Sequence, residues 1–143
     1  MDKLIIEVRV NESASKARNP NIPYVPEEIV KDALACAAAG ASIVHFHART
    51  ATGADSNDPE TYRAVIADLR GRSDMLIHTT LGQFEGTPAE QRTAHVEKLH
   101  SQGLAPDIAP LDMGSNNVDF FNVYLPTMTR AGGEPSSGQA SNN

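Results

Sequence analysis

His45 and His47 stand two residues apart in the segment ASIVHFHART, Ala41–Thr50, of a chain that has only five histidines. The segment reads as a short buried strand. Side chains on a strand alternate between faces, so His45, His47 and Arg49 share one face while Val44 and Phe46 share the other. Two imidazoles on one strand face can reach a single divalent cation, and imidazole suits Zn, Cu, Fe or Ni. A catalytic zinc takes three protein ligands and keeps one position open. The strand therefore offers two ligands, and a third has to come from elsewhere. The competing reading is a pair of polar side chains satisfied by neighbours or water inside the fold. A motif this short recurs by chance, so spacing alone leaves both open.

The elements that must position the pair alternate along the chain. Leu4–Asn11 reads as a strand with Leu4, Ile6, Val8 and Val10 on one apolar face. A helix follows from Pro26, with Glu27 and Glu28 at the positive end of its dipole and Gly40 as its left-handed stop; Val25 is a poor cap. After the histidine strand, Asp58 caps a helix that begins at Pro59 and is expected to end at Gly71. Asp74–Thr80 is a third strand, and a third helix runs from the Thr87–Pro88 start to Gly103. Pro106–Gly114 reads as a short fourth strand, although Pro110 lacks a ladder donor. This alternation predicts parallel βαβ units with right-handed crossovers. It fits either an open doubly wound sheet or part of a (β/α)8 barrel, which as a whole needs about 250 residues. Beyond Asn117 the rhythm breaks, and residues 118–143 read as irregular chain ending in a Gly/Ser/Asn-rich, disordered tail.

Both architectures place ligands at the carboxyl ends of the strands, where the two histidines fall. Asn11, Glu12, Thr79, Thr80, Asp112, Gly114 and Ser115 reach the same rim. Glu12 can anchor a cationic group or orient a ligand, or be a solvated loop carboxylate. Thr80 can donate to a substrate oxygen, or be an ordinary β-branched strand residue. Arg49 can pair with an anionic substrate or a neighbouring carboxylate. His78 is expected near the same interior, whereas His95 and His100 read as exposed helix residues without chemistry.

Composition narrows the partners. Of 143 residues, 40% are hydrophobic and 21% charged, and the net charge is −6. The acidic balance argues against nucleic acid. No apolar run approaches the roughly 20 residues needed to cross a bilayer, and the N-terminus is too charged for a signal peptide. The single cysteine, Cys36, forms no internal disulfide, which suits a reducing cytoplasm. It reads as a small residue at a close helix contact.

The set VRVNE, NPNIPYVPEEI, AGASIVHFHAR, HTTLGQ and LDMGSNN, from Leu4 to Asn117, resembles the β-keto acid cleavage enzyme family in order and spacing. The resemblance implies an α/β fold that is the N-terminal half of a (β/α)8 TIM barrel, with about four parallel strands and three helices over residues 1–117. It implies a zinc-dependent reaction of a β-keto acid with acetyl-CoA that gives acetoacetate and a new CoA ester. By the same resemblance His45 and His47 match the zinc-binding histidines. Glu12 matches a substrate-contacting glutamate, Thr80 a substrate-contacting Ser or Thr, and Gln83 lies in the adjoining loop. A further substrate-contacting Thr of a lysine-fermenting member falls on Pro110, which has no hydroxyl. The family's third zinc ligand, a late glutamate near a functional arginine and aspartate, has no counterpart in these residues. The chain is thus expected to be a homo-oligomer or to need a complementing C-terminal half. Two other readings stand beside it: a different His-x-His metal hydrolase of barrel fold, and a non-catalytic half-barrel interaction module.

Overall fold

A computed structural model describes residues 4–12, 14–81 and 89–110, with 89 and 90 described by their backbone alone. They lie within one folded unit, Met1–Pro110. Strand and helix alternate as β1 (Glu7–Arg9), α1 (Pro26–Ala38), β2 (Ile43–Phe46), α2 (Pro59–Arg72), β3 (Leu76–Thr79) and α3 (Ala89–Ser101). The strands form one parallel sheet in the order β1-β2-β3. Val8 pairs with Val44 and Val44 with Ile77, while Arg9 pairs with His45 and His45 with His78. Paired residues of a parallel ladder share a face, so two layers emerge from the register. Val8, Val44 and Ile77 turn to the helices, and Arg9, His45 and His78 turn away from them.

The core fills the helix side. Val44, Phe46 and Ile77 pack with Ile29, Val30 and Ala33 of α1, Tyr62, Val65, Ile66 and Leu69 of α2, and Leu99 of α3. α1 lies against α2, and α2 against α3. Strand order advances in one direction without the reversal that marks a doubly wound sheet. A fourth position continues it: Ile108 makes a parallel bridge to His78, and Thr79 N donates to Ile108 O at 3.2 Å. Asp107 locks this edge, its carboxylate accepting from Ile77 N at 2.8 Å and from Arg70 Nη2 at 3.0 Å. Of the fourth strand expected over Pro106–Gly114, the described part shows this single bridge; the remainder, like residues 118–143, lies outside the described residues.

Local sequence explains most of the element ends. Val25 makes no side-chain cap for α1. Glu28 compensates from inside the first turn, accepting from Tyr24 N at 2.8 Å and pairing with Lys16 Nζ at 2.7 Å. Those two donors, Lys16 first, hold its carboxyl below the usual range. Asp58 caps α2 by accepting from Glu60 N at 3.2 Å. Gly40, at φ +103, ends α1 as expected. Gly71 does not end α2, which continues to Arg72; Gly71 has no positive φ, and Ser73 closes the helix with its N–H on Leu69 O. β1 is also shorter than the expected Leu4–Asn11 strand. Leu4 and Ile5 are exposed, and Ile6 contributes a carbonyl to Ser42 N and Ile43 N. No described helix is long and apolar enough to cross a membrane.

Candidate metal centre

The loops at the carboxyl ends of β1 and β2 converge on the two histidines. Asn11 closes the gap between β1 and β2 after the backbone ladder stops at Val10. Its buried side chain accepts from His47 N at 2.9 Å and donates to His47 O at 2.8 Å and Pro23 O at 3.2 Å. The amide thus takes the place of one more backbone pair and fixes the peptide that carries His47. Glu12 follows in a left-handed conformation, φ 43. Such a backbone in a non-glycine residue costs on the order of 1–3 kcal/mol and persists only when its surroundings impose it. Arg49 imposes it here: its guanidinium donates to the carbonyls of Glu12 and Ala14.

The consequence is a carboxylate facing both imidazoles. Glu12 Oε1 lies 3.8 Å from His45 Nε2 and Glu12 Oε2 lies 3.6 Å from His47 Nε2. Arg9 Nη1 donates to Glu12 Oε1 at 2.9 Å on the solvent side of the pair. One donor atom each from Glu12, His45 and His47 falls within 4.8 Å of the others. Ligand atoms about 2.0–2.1 Å from a tetrahedral zinc sit roughly 3.3–3.4 Å apart, so the Glu12–imidazole separations of 3.8 and 3.6 Å need only slight contraction. The imidazoles are ready for such a role. Burial, then the neighbouring His78 and His47, pushes His45 down to about 4, and burial lowers His47 as well. Both are therefore neutral at pH 7 and can present lone pairs to a cation.

The sequence expectations divide against this geometry. His45, His47 and Glu12 are brought together. Glu12, expected at the substrate, also completes a three-donor set with the histidines, so two imidazoles are not the whole local supply. Thr80 is buried at the end of β3 on the same rim. Gln83 lies outside the described residues, as do Asp112, Gly114 and Ser115. Arg49 is not directed at a ligand: its side chain is 4% exposed, 3.7 Å from Asp55 and over the Tyr24 ring. His78 does face the site, its ring 4.4 Å from that of His45. His95 is a correction: it is fully buried and stacked on Tyr62 at 4.2 Å, because α3 turns that position to the core. His100 is exposed as expected. Asn11 and its role had no signal beyond a polar residue ending an apolar strand.

Residues 3–136 match the sequence profile of the beta-keto acid cleavage enzyme family. The chain belongs to this family. Within it, the 3-keto-5-aminohexanoate cleavage enzyme of Fusobacterium nucleatum is 33% identical over 129 residues, 89% of this chain and 45% of that protein. The protein of that name from Acetoanaerobium sticklandii is 31% identical over the same shares. A 3,5-dioxohexanoate:acetyl-CoA acetone transferase of Paraburkholderia graminis is 32% identical over 107 residues, 74% of this chain and 32% of that protein. The chain thus spans less than half the length of these β-keto acid cleavage enzyme relatives.

Proposed function

We propose that this chain carries the metal-binding side of a zinc-dependent β-keto acid cleavage site on the first half of a (β/α)8 barrel. The reaction joins a β-keto acid to acetyl-CoA and releases acetoacetate and an acyl-CoA. The observation that carries the reading is the convergence of Glu12, His45 and His47, on the sheet of a chain belonging to this family. The one-way strand order, extended by Ile108, supports the barrel. The names of the relatives, one of them an acetyl-CoA acetone transferase, support the co-substrate.

His45 and His47 would hold the cation, and Glu12 would either complete the donor set or receive the cationic or hydroxyl end of the substrate. Bound zinc would polarise a keto oxygen and favour enolate character during carbon–carbon cleavage. Arg9 balances the Glu12 charge, and Arg49 and Asn11 hold the two loops at the spacing the donors need. Thr80 offers a hydroxyl to the substrate, and the family resemblance assigns Gln83 to substrate contact as well. We place this enzyme in the cytoplasm and expect it to work as a homo-oligomer or with a complementing C-terminal half.

The deciding measurement is zinc content of the purified chain and of His45→Ala. The variant should lose bound zinc, and undiminished zinc would sink the assignment. An assay of β-keto acid consumption with and without acetyl-CoA separates this chemistry from that of a barrel hydrolase, which needs no CoA.

A further inference from the structure

Behind the donor set lies a second polar group that the proposed chemistry leaves unused. Glu7 on β1, His45 on β2 and His78 on β3 occupy the same face, and one donor atom from each falls within 4.8 Å of the others. His78 Nδ1 lies 3.0 Å from Glu7 Oε1. Two ring atoms are buried without a hydrogen-bond partner among the described residues: His45 Nδ1 and His78 Nε2. They belong to rings whose centroids are 4.4 Å apart.

Tautomer logic makes these two orphans complementary. A carboxylate can only accept, so the neutral His78 that bonds Glu7 carries its proton on Nδ1 and has a lone pair on Nε2. His45 turns Nε2 toward Glu12 and His47. If Nε2 gives its lone pair to a cation, the proton of the neutral ring must sit on Nδ1. The buried His45 Nδ1 donor and the buried His78 Nε2 acceptor are therefore complementary in kind, on rings whose centroids lie 4.4 Å apart. A buried donor and acceptor left unpaired are costly, so cation binding that lets them pair gains from doing so.

We propose that Glu7 and His78 are positioning residues for His45, forming a Glu7–His78–His45 relay of hydrogen bonds that fixes the ring tautomer and raises its basicity toward the cation. This rests on the zinc reading of His45 and His47. Ligating histidines commonly hand their second N–H to such an outer partner, and removing the partner weakens metal binding by roughly 10–100-fold. A direct second cation site on Glu7, His45 and His78 is the competing use of the same atoms. It asks one imidazole to serve two cations, whereas the relay needs only neutral rings.

The test is zinc titration against a chromophoric chelator for the full chain and for His78→Ala, Glu7→Ala and His47→Ala. The relay predicts one zinc per chain throughout the first three, bound roughly 10–100-fold more weakly in His78→Ala and Glu7→Ala. Long-range 1H–15N spectra of the wild-type chain give an independent readout should a variant fold poorly. They should show His78 as the Nδ1–H tautomer, and on zinc addition a slowly exchanging His45 Nδ1–H. Unchanged affinity in both outer variants, with His47→Ala impaired, overturns the relay and leaves the zinc reading standing. A stoichiometry of two that falls to one in His78→Ala overturns it in favour of direct ligation. Wild-type and His47→Ala chains equally poor in zinc remove both proposals together.

Discussion

Single side chains here act mostly by holding backbone. Asn11 spends its whole amide on the His47 peptide and Pro23, and Arg49 spends its guanidinium on the loop that bears Glu12. Neither touches the space between the donors, yet both set the distances across it. Asn11→Ala leaves the His47 N–H and carbonyl without their buried partner, a loss of about 1–3 kcal/mol. Denaturant unfolding of the metal-free variant should register it, with unchanged slope, and zinc affinity should fall in parallel. A variant as stable as wild type would mean that water replaces the amide without penalty. At this scale the sequence was a partial guide. His45, His47 and Glu12 could be singled out by type and spacing, but the pairing of Asn11 with a residue 36 positions away could not.

Elements follow simpler rules, and their ends respond to local changes. Val25 has the extended backbone of a helix cap, φ −90 and ψ 158, without a side chain able to cap. Val25→Ser would create a Ser-x-x-Glu box with Glu28 and should stabilise the fold by roughly 0.5–1 kcal/mol. A thermal melt that moves down would show that the lost Val25 packing outweighs the new bond. The loop after β2 behaves in the opposite way. Gly53 has φ +89, and a Cβ added there would lie 2.3 Å from the Tyr24 ring. Tyr24 in turn packs under Arg49 and accepts from Lys16 N at 2.7 Å. Gly53→Ala should therefore destabilise by about 1–3 kcal/mol through strained backbone and a displaced ring. Equal unfolding midpoints for the two chains would contradict that.

Stability of the whole molecule should carry the mark of its buried histidines. Burial lowers His95 from its ordinary value of 6.5, opposed by the Thr80 backbone. On acidification the unfolded chain takes up this proton before the folded one does. The neutral ring's contribution is thus full above about pH 6.5 and is lost as pH falls through the lowered folded value. His95→Phe keeps the stacking on Tyr62 and removes the titration, so its stability should fall less steeply below pH 6.5. The slope shrinks without vanishing, because His45 and His47 are lowered by burial too. Identical acid slopes in urea unfolding of the two chains would refute the claim.

Periodicity, caps and glycine stops are local, and they sufficed for the order of strands and helices, the parallel connections and the face shared by His45 and His47. Family motifs read from the same residues pointed to the chemistry. Tertiary structure decided what depends on register between strands: which residues stand beside His45, that Glu12 swings back over both imidazoles, and that His95 is core. Those contacts join residues far apart in the chain. Their distances come from three strands packing on one layer of helices, an arrangement no short stretch of sequence encodes by itself.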